Sequence, residues 1–150
     1  DIYAQWKKGL GGELPFTPAV QVIYALDKAV QKLLEEGTEN RINRYATLAK
    51  RMREGLTKLG LEIIPLPKEI ESNILTVIKM PENFDYWKVH DKLKERGITI
   101  YSGTEVLNQR KFRVATLGNM TAEDVDWFLK NLKEVMEETG VKTRWIIWKQ

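Results

Sequence analysis

The sequence of 150 residues contains no cysteine and one histidine, His90. The absence of cysteine excludes disulfide bonds, thiolate metal sites and a cysteine nucleophile. A single histidine cannot form a histidine-based metal cluster within one chain, so we predict no metal site. No apolar run approaches the roughly 20 residues of a membrane-spanning helix, and the first residues lack a signal-peptide pattern. We therefore expect a cytoplasmic protein without a membrane partner.

The chain also has little charge of one sign, with 24 basic and 21 acidic residues that are mostly interspersed. Such a weak bias does not favour a nucleic-acid partner. P-loop, GxGxxG, GxSxG and HExxH motifs are absent as well. The remaining composition, 43% hydrophobic and 30% charged, is typical of one folded globular domain with its own core.

Helical periodicity dominates the first part of the chain after an opening stretch, 1–16, that we expect to be irregular because of its glycines. Thr17 fits a helix N-cap and Pro18 the first helical position. Gly37 suits the end of that helix. A second helix is predicted over about 39–59, where apolar residues alternate three and four apart.

The rest of the chain predicts the element order β-β-α-β-β-α. Alternation and β-rich composition indicate the strands, whereas caps, glycine stops and helical spacing indicate the helices. Thr121, with Asp124 three residues later, resembles a capping box at the start of the last helix. These segments are 61–65, 72–80 (a central strand), 81–97, 98–101, 111–118 and 121–140. The order predicts an α+β fold, a small and mostly antiparallel sheet with helices packed on one face. The first long helix would lie outside this layer and link to a large domain that is missing upstream.

Arg113 is the most unusual side chain of the predicted sheet. In the strand 111–118, Phe112 and Val114 would point one way and Arg113 the other. A guanidinium within a strand needs water, an acid or a ligand, because burying it unpaired is very costly. The residues alone leave two interpretations open: a solvent-facing or ion-paired arginine, or a site that binds a carboxylate bidentately.

Three other features also have two interpretations each. Thr17 is either a plain N-cap or a hydroxyl that receives a phosphate at a helix start. His90 fits a boundary position better than a catalytic base, because no partner acid is evident nearby. Trp145 and Trp148, near the end of the chain, would pack on the body or mark a subunit contact.

Several stretches together resemble the C-terminal part of the class V (fold type I) pyridoxal-phosphate aminotransferases. This family includes the alanine–glyoxylate, serine–pyruvate, 2-aminoethylphosphonate and archaeal aspartate aminotransferases. The similarity lies in the order and spacing of five segments: LPFTPAVQVIYALDKAV at 14–30, then 33–62, SNILTVIKMPENFDY at 72–86, LKERGITIYSG at 93–103, and KFRVATLGNMTAEDVDWFLKNL at 111–132.

The resemblance implies roles for two residues. Thr17 matches the threonine of the T-P helix start, which in the family contacts the cofactor phosphate of the neighbouring subunit. Arg113 matches the R-[IV]-[AG]-x-[LI]-G strand, with Gly118 closing the motif, and would bind the carboxylate of the substrate. The implied cofactor is pyridoxal 5′-phosphate, the implied substrates are an amino acid and a 2-oxo acid, and the implied assembly is a homodimer.

One departure from the family pattern is that no S-x-Q-K segment before a Pro-Gly turn occurs, and Lys7 and Lys8 lie too close to the T-P element to replace it. The catalytic lysine is therefore expected outside this chain. Residues 1–35 would end the large domain and form the linking helix, and 36–150 would form the small domain. Alone, this fragment is expected to be inactive.

Two alternatives come from other classes of function. A stand-alone α+β module could bind RNA or a metabolite, with Phe112 and Tyr101 stacking bases from adjacent strands. A lyase or desulfurase of the same fold would keep the cofactor and change the reaction. The residues that would separate these enzymes are expected upstream.

Overall fold

The computed structural model describes residues 1–12, 16–103 and 110–142 and divides the chain into two compact units, Asp1–Arg41 and Ile42–Gln150. Trp145 and Trp148 lie outside the described residues, so their role stays a prediction.

The first unit opens with a helix, α1 (Ile2–Leu10), and the prediction of an irregular start was wrong there. Asp1 caps the helix, because its carboxylate accepts a hydrogen bond of 2.9 Å from the amide of Tyr3. The Tyr3 ring stacks on Trp6 at 5.7 Å, and the ammonium of Lys7 lies 4.9 Å from the Tyr3 ring centroid. These contacts join residues three and four apart and stabilise the helix. The glycines near its end do not prevent the helix, which stops at Gly11.

The second helix of this unit, α2 (Val20–Glu36), is amphipathic but contains no buried residue. Gly37 follows it with φ of +82°, a left-handed conformation that favours glycine, as the predicted helix stop requires. Seven of its large apolar side chains are exposed: Val20, Val22, Ile23, Tyr24, Leu26, Val30 and Leu34.

The remaining elements follow the predicted order. They are α3 (Thr38–Lys58), β1 (Glu62–Ile63), a short 3-10 turn (Lys68–Ile70), β2 (Leu75–Lys79), α4 (Tyr86–Glu95), β3 (Tyr101–Ser102), β4 (Lys111–Ala115) and α5 (Ala122–Glu138). Asp85 caps α4, and the predicted capping box of Thr121 and Asp124 opens α5. The α+β fold is thus confirmed.

The four strands form one antiparallel sheet in the order β1-β2-β4-β3. β2 has a partner on each side, as the prediction of a central strand requires. The register places Arg113 opposite Val77 on one side and Tyr101 on the other. Because side chains opposite each other in a sheet share a face, these three residues lie on the same face.

The core lies on the other face of the sheet. Phe112 is 0% exposed and stacks on Phe84 with the ring centroids 5.2 Å apart, and Val114 is also buried. The predicted alternation of β4 is confirmed. Helices α3, α4 and α5 supply most of the other buried apolar side chains: Leu48, Met52, Leu56, Val89, Leu93, Val125, Phe128, Leu132, Val135 and Met136.

The edge strand β3 is tied to α4 by a tyrosine. The hydroxyl of Tyr86 donates a 3.0 Å hydrogen bond to the carbonyl of Ile100, just before β3. Burial raises the pKa of Tyr86, and the hydrogen bonds of Ser102 and the charge of Arg113 oppose this shift without cancelling it.

Truncation of the central core side chain, Phe112→Ala, is expected to lower the free energy of unfolding by about 3–5 kcal/mol, because it removes a buried ring and leaves a cavity. Chemical denaturation of the chain measures the effect. The matched control is Leu117→Ala, whose side chain is 62% exposed and whose loss should change stability by about 0.5 kcal/mol or less. Equal losses in both variants would contradict the assigned core face.

The raised pKa of Tyr86 predicts a pH dependence of stability. The folded state holds this proton more tightly than the unfolded chain, so stability is complete below the ordinary tyrosine pKa of about 10 and falls as the pH rises above it. Unfolding curves across this range should show a smaller fall for Tyr86→Phe than for the wild type. Leu117→Ala, which removes an exposed side chain without an ionisable group, should fall like the wild type. Parallel curves for all three proteins would rule out the shift.

Candidate active site

Arg113 lies at the centre of β4, half-buried, on the face of the sheet opposite the core. Its neighbours on this face are Val77 of β2 and Tyr101 of β3, whose ring is 64% exposed. The position follows from the two-residue period of the strand, since Phe112 and Val114 are drawn into the core on either side. The sheet therefore presents the guanidinium on the face opposite the core formed with α3, α4 and α5, as the sequence predicted.

The guanidinium of Arg113 is held at one of its nitrogens. Its Nε donates a hydrogen bond of 3.2 Å to the backbone carbonyl of Ser102. Within 1–12, 16–103 and 110–142, no Asp or Glu forms an ion pair with Arg113. A guanidinium carries five N–H donors, so four, on Nη1 and Nη2, remain for a ligand. The ion-paired interpretation is thus not supported by the described residues.

The charges around Arg113 are mostly positive. Lys111 lies two residues earlier on the same strand and face, and it faces Lys79 across the sheet. Lys79 is paired with Glu62 at 3.0 Å, so one of these two lysines has a carboxylate partner. This surface thus favours an anion, and the planar fork of Arg113 suits a carboxylate or another acid with two oxygens.

Thr17 lies in the other unit, Asp1–Arg41, where it is exposed. The prediction that Thr17 caps the helix was wrong: α2 begins at Val20, its N-cap is Ala19, and no side chain caps it. The hydrogen bonds show where the helix starts: the carbonyl of Pro18 accepts the amide of Val20 at 2.8 Å in a tight turn, and the first helical bond runs from the amide of Ile23 to the carbonyl of Ala19 at 3.1 Å. The hydroxyl of Thr17 is thus not used as a cap.

His90 packs between aromatic rings on α4. Its ring lies 5.5 Å from Trp87 and 5.6 Å from Tyr86, and its side chain is 15% exposed. Nδ1 lies 2.9 Å from a carboxylate oxygen of Asp91, so the expectation that no acid lies nearby was wrong. Adjacent residues on a helix do not share a face, so helical spacing does not predict this contact. The boundary position itself is confirmed.

The alternative of an RNA-reading sheet is not supported. Phe112 and Tyr101 were expected to stack bases together, but Phe112 is fully buried against Phe84, whereas Tyr101 is exposed. Their positions in the register place them on opposite faces of the sheet. A base-stacking platform needs both rings on one exposed face.

Two residues next to Arg113 were not identified as part of a site from the sequence. Ser102 holds Arg113 through its backbone carbonyl, which no side-chain pattern can reveal. Tyr86 falls within the helix predicted over 81–97, and helical spacing assigns it no role in a site. The sequence does contain one signal for Tyr86, a tyrosine at a core-facing position of a helix. A buried hydroxyl needs a hydrogen-bond partner, so such a tyrosine indicates a polar contact with a neighbouring element.

Comparison with known proteins gives the family. No protein-family model matches the chain. The 2-aminoethylphosphonate–pyruvate transaminase of Syntrophobacter fumaroxidans is 32% identical over 93% of the chain and 38% of that protein. The solved pyridoxamine–pyruvate aminotransferase of Mesorhizobium loti has a TM-score of 0.79 and 28% identity, over 89% of the chain and 34% of that structure.

A third similarity concerns the fold alone. The ureidoglycine–glyoxylate aminotransferase of Bacillus subtilis gives a TM-score of 0.81 at 24% identity, over 95% of the chain and 38% of that structure. The chain spans little more than a third of the length of each of these three proteins. The homologues of this chain are class V aminotransferases, a family that depends on pyridoxal phosphate, and the chain corresponds to the C-terminal part of these proteins.

Proposed function

We propose that the complete protein is an aminotransferase that moves an amino group between an amino acid and a 2-oxo acid, and that Arg113 binds the carboxylate of both substrates. The observation that carries this proposal is the guanidinium on the open face of the sheet, fixed at Nε and free of a carboxylate partner within the described residues. The named relatives are aminotransferases, which favours transamination over the lyase and desulfurase alternatives.

The fixed Nε decides how a carboxylate approaches. With Nε bonded to the Ser102 carbonyl, only Nη1 and Nη2 remain, so the two oxygens would bind end-on across these nitrogens. Each hydrogen bond to a charged group contributes about 1.5–3 kcal/mol. Two such hydrogen bonds fix both the position and the tilt of the substrate. A correctly oriented substrate reacts faster, because less entropy is lost on reaching the transition state.

The cofactor site needs groups that this chain supplies in part. Bound pyridoxal phosphate acts as the electron sink of the reaction. Thr17 fits a phosphate ligand, because its exposed hydroxyl is not consumed by capping α2 and can donate to a phosphate oxygen. By the family pattern it would serve the cofactor of the neighbouring subunit in a homodimer. We place the catalytic lysine outside this chain.

The domain boundary is part of the proposal. Residues 1–35 would form the end of the large domain and the linking helix, and 36–150 the small domain. The apolar face of α2, exposed in the first unit, supports a helix that packs against another part of the enzyme, and the second unit has its own core. The chain divides into its two compact units between Arg41 and Ile42, a few residues after the proposed boundary.

Location follows from the same proposal. Within the described parts of the chain, no helix combines the length and the apolar character needed to cross a bilayer. We place the homodimer in the cytoplasm, a reducing compartment in which disulfides are rare. A sequence without cysteine is compatible with this location.

Replacement of the carboxylate-binding group, Arg113→Lys, should lower kcat/KM of the complete enzyme about 10- to 100-fold, because an ammonium cannot bind both oxygens in the plane of the fork. The affinity for pyridoxal phosphate should stay unchanged. Steady-state kinetics and an absorbance titration of the cofactor measure the two quantities. Arg51→Lys, on the exposed pair with Asp126, is the matched control. An unchanged kcat/KM would remove Arg113 from the site.

Replacement of Thr17, the second proposed site residue, should affect the binding of the cofactor. Thr17→Val should weaken the binding of pyridoxal phosphate about 10-fold, because it removes one hydrogen bond to the phosphate while keeping the shape of the side chain. Thr17→Ser keeps the hydroxyl and should bind like the wild type. Equal dissociation constants for all three proteins would exclude Thr17 as a phosphate ligand.

A further inference from the structure

We infer that Tyr86 is a positioning residue for Arg113: its hydroxyl fixes the edge strand whose carbonyl holds the guanidinium. The inference rests on the proposed function, since it assigns a role in carboxylate binding to a residue that does not touch the substrate. It is carried by two hydrogen bonds at the same edge, from Tyr86 to the carbonyl of Ile100 at 3.0 Å and from Arg113 to that of Ser102 at 3.2 Å.

The edge strand β3 is too short to fix itself. It comprises only Tyr101 and Ser102, paired with β4 on one side and with no strand on the other side in the described sheet. A bond from the amide of Gly103 to the carbonyl of Lys111 extends the pairing by one residue. Two paired residues supply little cooperative stability, so the position of β3 depends on contacts outside the ladder.

The two carbonyls leave β3 on the same side. Ile100 and Ser102 are two residues apart, and backbone groups alternate in direction along a strand. Gly103, the residue after Ser102, bonds to Lys111 of β4, so the carbonyls of Ser102 and Ile100 point the other way, to the free edge. There Tyr86 donates to the carbonyl of Ile100 and Arg113 to that of Ser102. A shift of the strand at Ile100 moves the Ser102 carbonyl with it.

Tyr86 itself is anchored to a rigid element. It is the first residue of α4, directly after the N-cap Asp85, whose carboxylate accepts the amide of Lys88 at 3.1 Å. The ring is half-buried and packs against the core cluster. The hydroxyl thus transmits the position of a packed helix to the edge of the sheet.

The consequence for the site concerns the fork of Arg113. With the Ser102 carbonyl in place, the guanidinium is held at Nε and presents Nη1 and Nη2 in one orientation. Without it, the long side chain samples several rotamers, and a carboxylate must order them on binding. Loss of the Tyr86 hydroxyl should therefore weaken substrate binding through Arg113, while the ring keeps its packing.

A double-mutant cycle in the complete enzyme tests this coupling. Tyr86→Phe should raise KM about 5- to 10-fold with a smaller effect on kcat, and in the Arg113→Lys background its effect should shrink below about twofold. Tyr45→Phe, which removes a phenol elsewhere, should act like the wild type in both backgrounds. An equal loss from Tyr86→Phe in both backgrounds, or no loss at all, would overturn the inference.

A measurement without turnover separates this inference from the proposed function. In the 150-residue chain, the Nε–H of Arg113 should exchange with solvent about threefold faster or more in Tyr86→Phe than in wild type or Tyr45→Phe, as read from nuclear magnetic resonance. Unchanged exchange would overturn the positioning role even if the enzyme transaminates. Faster exchange without any transamination by the complete wild-type enzyme would retain it and refute the proposed function.

Discussion

The alternation of side chains along β4 is the constraint on which the other features depend. Phe112 and Val114 are buried, so Arg113 between them must face away from the core. The burial of one aromatic side chain, worth a few kcal/mol, fixes the strand and with it the direction of the guanidinium. A charged group on a strand is placed more firmly than one on a loop, which suits a group that must orient a ligand.

The free edge of β3 links stability to this site. An edge strand exposes unpaired carbonyls that invite pairing with other chains. Here Tyr86 and Arg113 occupy the carbonyls of Ile100 and Ser102, so the same contacts that cover the edge also fix the fork. A carboxylate partner at this position would have neutralised the arginine. A backbone carbonyl holds Nε and leaves the positive charge for a ligand.

Sequence patterns predicted what depends on local periodicity. The faces of β4 and the capping box of α5 follow from spacing, the central place of β2 follows from its apolar, β-rich composition, and all three are confirmed. The start of α2 was misplaced because a tight turn from Pro18 to Val20 precedes the helix, and α1 was missed because the glycines near its end were given more weight than the cap at Asp1. The Ser102 carbonyl could not be predicted, since its bond joins backbone and side chain 11 residues apart.

The most direct measurement is a crystal structure of the complete enzyme with an unreactive carboxylic acid analogue of the substrate. We expect both carboxylate oxygens at about 2.7–2.9 Å from Nη1 and Nη2 of Arg113, with Nε still on the carbonyl of Ser102. A carboxylate bound to another cation, or Arg113 ion-paired with an Asp or Glu from elsewhere in the enzyme, would contradict this account.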